Sequence, residues 1–80
     1  MQKITMNVEG MMCRMCEKHL AETVKERHAV KKIECSHEAK TCIFTTEEDP
    51  TDEELEKTVK YAGYSFLGAT RETVKRGLFG

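Results

Sequence analysis

Eighty residues leave room for one small domain, because chains of this size bury only about 60% of the surface their unfolded state exposes. Thirteen basic against fourteen acidic residues give a formal charge of −1, spread along the chain rather than gathered into the basic patch of a nucleic-acid binder. No apolar run approaches the ~18 residues needed to cross a bilayer, and Met1-Gln2-Lys3-Ile4 runs into a strand pattern without a signal-peptide core. The reading is therefore of a cytoplasmic protein that is not membrane-embedded, in a compartment that keeps thiols reduced. Four cysteines in that setting point to metal or redox chemistry before structural disulfides.

Residues 3–9 alternate, with Ile4, Met6 and Val8 on one face and Thr5, Asn7 and Glu9 on the other, as in a half-buried strand. Gly10 punctuates, and a cysteine-bearing loop follows. From 14 to 28 the positions Cys16, Leu20 and Val24 recur every four residues and predict a helix. A second strand spans 30–36, a polar turn 37–40 and a third strand 41–46. Glu47-Glu48-Asp49-Pro50 reads as an acidic loop, with Glu47, Glu48 and Asp49 solvated. Thr51 and Glu54 form a capping box for a second helix, whose stripe is Leu55, Val59 and Ala62. Gly63 ends that helix, and a fourth strand spans 64–70.

The order βαββαβ predicts an α+β, ferredoxin-like sandwich: a four-stranded antiparallel sheet with both helices on one face. Following the strand directions, the cysteine loop, the 37–40 turn and the Gly63-Tyr64 turn share one end. That end is the expected functional edge. Residues 1–70 form the domain, and 71–80 read as a C-terminal tail with a weak helical pattern at Val74 and Leu78. The early strand start and the added tail predict a stand-alone protein rather than a piece of a transporter.

The segment Gly10-Met11-Met12-Cys13-Arg14-Met15-Cys16 carries the chemistry. Cys13 and Cys16 stand three residues apart at a helix start, where partial positive charge favours thiolates. Thiolate and thioether ligands select soft ions such as Cu(I). Met12 and Met15 serve as apolar cover, or as weak thioether contacts and a soft docking surface. The rival is dithiol–disulfide exchange, which uses the same spacing. Thioredoxin-like folds also need a cis-proline facing the disulfide, whereas Pro50 sits ahead of a helix cap.

A turn centred on Glu38 and Ala39 sets Cys35 opposite Cys42 and Ile33 opposite Phe44, with opposed Cβ atoms ~4.5–5.5 Å apart. The favoured reading of Cys35 and Cys42 is two small core thiols. The alternatives are a disulfide or a second soft-metal site. A four-cysteine zinc knuckle fits poorly, because Cys35 and Cys42 lack the spacing of a second half. His19 is read as a surface residue. His28 sits at a helix C-terminus, where its protonation suits the dipole. His37 is read as solvated in the turn, with a ligand role left open by its position.

The chain resembles the heavy-metal-associated domain found in bacterial copper chaperones and at the N-termini of copper-transporting P-type ATPases. The pattern G-M-x-C-x-x-C carries the resemblance at Gly10 to Cys16. Leu20, Val24, Val30, Ile33, Leu55, Val59 and the Ala62-Gly63-Tyr64 turn extend it over residues 3–68. It implies that Cys13 and Cys16 are the metal ligands, that Met11 packs beneath the loop and that Tyr64 lies close to the metal. Departures are Met12, where Thr or Ser is usual, Arg27 for leucine, Ala29 for glycine, and Cys35 and Cys42 for aliphatic residues. Zinc and cadmium relatives often carry Asp before the first cysteine, so Met12 tilts the choice toward Cu(I). The resemblance implies a non-enzymatic metallochaperone working as a monomer or a metal-bridged dimer. Its partner would be a copper-transporting P-type ATPase or another thiol-rich acceptor. A dithiol redox protein, or a relative handling Hg(II) or Zn(II), stands as the alternative.

Overall fold

The computed structural model describes residues 1–73. Its elements are β1 (Gln2–Glu9), α1 (Arg14–Arg27), β2 (Val30–Ser36), β3 (Thr41–Thr46), α2 (Asp52–Tyr61) and β4 (Ser65–Thr73). The strands pair antiparallel in the order β2-β3-β1-β4. Alternation along β1 puts Ile4, Met6 and Val8 in the core without exposure, beside Cys42 and Phe44 from β3. Leu20 and Val24 of α1 and Leu55 and Val59 of α2 close that core from the helical side. This is the expected ferredoxin-like layout.

The two helices begin differently. α2 starts on Thr51, whose hydroxyl accepts the Glu54 N–H at 3.2 Å, and Asp52, Glu53 and Glu54 place negative charge in its first turn, where the dipole favours it. It ends in paired bonds from Gly63 N–H to the Lys60 carbonyl and from Tyr64 N–H to the Val59 carbonyl, at 2.9 and 3.1 Å. Gly63 supplies the positive φ of +96° that this stop requires. α1 starts instead on Cys13, with extended backbone and no side-chain cap.

The hairpin register is the one expected, with Cys35 opposite Cys42 and Ile33 opposite Phe44. Between β1 and β4 the register slips at Asn7 and Val8, which face Gly68 and Phe66. Leu67 is the extra residue of that bulge and is 60% exposed.

Three sequence expectations need correction. Residues 71–73 are not tail: they continue β4 and pair with Gln2, Lys3 and Ile4. Their charge hides a strand signal that comes from β1, and Arg71 is further held by the Asp52 carboxylate at 2.7 Å and the Pro50 carbonyl at 2.8 Å. Cys35 and Cys42 are not two separate core thiols but a cross-strand disulfide with Cα atoms 3.9 Å apart, an outcome that depends on register. His28 does stand at the end of α1, but burial disfavours the protonation expected there. It is buried, stacked on Phe44, and its Nε2 lies 2.8 Å from Thr58 Oγ1. Val74 and Leu78 lie outside the described residues.

Candidate metal centre

The register of β1 brings Glu9 beside Ser65 and Asn7 beside Thr41. The 10–13 loop, the β2–β3 turn and the Gly63-Tyr64 turn therefore share one end, as the strand directions require. Gly10 makes the loop possible. Its φ is +110°, and a Cβ there would sit 3.2 Å from the Tyr64 ring, so a side chain meets both backbone strain and a close neighbour. Met11 turns inward and is buried, whereas Met12 and Met15 are 83% and 76% exposed. The loop is thus pinned from below and open above.

Cys13 is exposed, Cys16 is partly covered, and both are free thiols. Their sulfurs lie 3.8 Å apart, with the Cys13 thiol donating toward Cys16 Sγ. Two ligands at ~2.3 Å from one ion, a typical zinc–thiolate length, can span that separation. The Cys16 thiol is pulled down to about 7, first by hydrogen bonding with the Met12 backbone and then by the side chains of Tyr64 and Cys13. The Tyr64 phenol is pushed up to about 12, chiefly by burial and then by its hydrogen bond to Cys16. Tyr64 therefore stays protonated and donates to the sulfur. His19 is exposed, with its ring meeting the edge of Tyr64 at 6.2 Å between centroids.

His37 is not solvated, contrary to its reading from sequence. Its backbone N–H donates to Glu17 Oε2 at 2.7 Å, and its ring Nδ1 bonds the same oxygen. Those two bonds, backbone first, hold the Glu17 carboxyl below its ordinary range. Glu17 was missed in the sequence. Its only local sign was an acid in the first turn of a helix, which is common. Among the described residues no three His, Cys, Asp or Glu side chains converge as a metal-binding group. The disulfide removes Cys35 and Cys42 as free ligands, and the structure engages His37 with Glu17 instead. Cys13 and Cys16 are the free thiols among the described residues.

The family model of the heavy-metal-associated domain matches residues 5–65. The chain belongs to that family. No match was found among curated proteins. Among solved structures, this heavy-metal-associated domain is similar to a copper binding domain from HMA7, a P-type ATPase. The TM-score is 0.73 at 19% identity, over 91% of this chain and 96% of the other. It is also similar to the yeast copper transporter domain CCC2A, with a TM-score of 0.71 at 18% identity over 88% of this chain and all (100%) of the other. The N-terminal domain of ZntA matches with a TM-score of 0.70 at 19% identity, over 90% and 93% of the two chains. At these identities the likeness is one of fold. No helix among the described residues is long and apolar enough to cross a membrane.

Proposed function

We propose that this domain binds one soft metal ion, Cu(I) before others, between Cys13 and Cys16 and passes it to a thiol-rich acceptor. The observation that carries the reading is the pair of free sulfurs 3.8 Å apart on an exposed loop, with one thiol poised to ionise at about 7. Thiolate-only donors favour Cu(I) over harder ions, and among the described residues no carboxylate joins them. Low coordination leaves the ion open to a partner's thiolates, so transfer proceeds by ligand exchange without releasing it. No bond in a substrate is made or broken, which is the reading of a carrier and not an enzyme. Met12, exposed beside Cys13, is available for a weak thioether contact or for docking. The acceptor we favour is a copper-transporting P-type ATPase, in keeping with the copper domains that share the fold, and the site of action we favour is the cytoplasm, where the Cys35–Cys42 bond is open to reduction.

The redox alternative is disfavoured by position. Pro50 lies ahead of α2, at the opposite end of the domain from the cysteines. Native mass spectrometry of protein titrated anaerobically with Cu(I), and separately with Zn(II), tests the proposal. One retained Cu(I), lost in Cys13→Ser, is expected. A wild-type protein that retains no copper refutes it. Because the ligands must lose protons, retention weakens as pH falls.

A further inference from the structure

Each side of the metal loop needs an anchor if the sulfurs are to stay in register without metal. On the Cys13 side, Met11 is buried in the core and Gly10 lies under the Tyr64 ring. On the Cys16 side the helix begins without a side-chain cap, because Cys13 occupies the position a Ser, Thr or Asp would fill. Arg14 and Met15 are exposed. Cys16 itself packs against the edge of the core, and the bond that ties this side to another element comes from Glu17, the residue after it. Its Oε2 receives both the backbone N–H and the ring Nδ1 of His37, twenty residues away in the β2–β3 turn. The two side chains are only 23% and 27% exposed. The local pairs Glu53–Lys57 and Glu56–Lys60 are far more open, at 47–77%, and such i,i+4 pairs contribute little.

Resting on the metal-binding reading above, we propose that Glu17 is a positioning residue for the site. Held by His37, it fastens the first turn of α1 to the hairpin and keeps Cys16 at bidentate distance from Cys13. The β2–β3 turn thereby becomes part of the metal site without touching the ion. Groups bonded directly to a ligand commonly cost about 10- to 100-fold in metal affinity when lost; Glu17 acts one step further out, through the helix backbone, so the lower end of that range applies.

The test compares Glu17→Ala, Glu17→Gln, His37→Ala and the exposed control Lys18→Ala. Cu(I) affinity is read by competition with a chromogenic Cu(I) chelator. Amide exchange over residues 14–17 is read in the metal-free protein. Glu17→Ala is expected to bind Cu(I) about tenfold more weakly and to exchange faster over 14–17. Glu17→Gln, whose carbonyl still accepts the His37 N–H, recovers part of both, while Lys18→Ala changes neither. Glu17→Ala with wild-type affinity overturns the inference, even if its melting temperature falls, because the residue then serves stability alone. A wild-type protein that holds no Cu(I) refutes the metal reading instead, and the exchange measurement then decides the anchoring by itself.

Discussion

At Cys16, groups from three parts of the chain act on one sulfur: the Met12 backbone, the Tyr64 side chain and the Cys13 thiol. Tyr64 is separable from the rest, because phenylalanine keeps its ring over Gly10 and removes only the donor. Tyr64→Phe should raise the Cys16 pKa and slow its alkylation by iodoacetamide at neutral pH by about threefold to tenfold, the scale of one hydrogen bond to a charged acceptor. An unchanged rate would show that the backbone contacts suffice. His28 presents the opposite electrostatics. Burial lowers its pKa and outweighs the upward pull of Glu48 and Glu54, with Arg27 adding to the lowering. The unfolded chain, with a histidine near ~6.5, takes up this proton before the folded chain does. The contribution of neutral His28 is therefore complete above that pH and lost as pH falls toward the folded-state value. Urea midpoints of wild type should drop over that range, and His28→Gln should remove this part of the slope.

At the level of elements, the two helices divide labour. α2 is a well-capped strut, with Thr51 at one end and the Gly63 stop at the other. α1 has no side-chain cap, because Cys13 stands at that position; on the proposed reading its sulfur is left for the metal. Thr51→Ala should lower stability by about 1 kcal/mol in denaturant titrations while leaving copper retention intact, since α2 begins at the end of the domain away from the cysteines. A loss of copper from that variant would show that the two ends are coupled.

For the whole molecule, the Cys35–Cys42 bond ties β2 to β3. It closes a loop with a sequence separation of 7, for which chain-entropy arguments give about 2–3 kcal/mol of stabilisation. Dithiothreitol should lower the urea midpoint of wild type accordingly and leave Cys42→Ala unaffected. Equal midpoints for wild type with and without reductant would mean that the bond adds no stability. The hairpin it ties also carries His37, so the disulfide and the Glu17 bridge reinforce one end of the fold.

Periodicity, capping and punctuation are local properties, and they sufficed to read six elements, their order and the ferredoxin-like sandwich. The Cys13-x-x-Cys16 pair was equally plain, because both of its members lie within one turn. The hairpin register followed from a short turn, which put Cys35 opposite Cys42 without deciding whether they are bonded. What the sequence left open involves residues brought together by packing. Arg71 to Thr73 carry no apolar pattern and become strand because β1 offers free hydrogen-bonding groups along its full length. His28 is buried because α1 ends against α2 at Thr58. Glu17 meets His37 because the helix start and the hairpin turn occupy the same end of the sheet. Such contacts depend on where whole elements sit relative to one another, and no local pattern of residues encodes them.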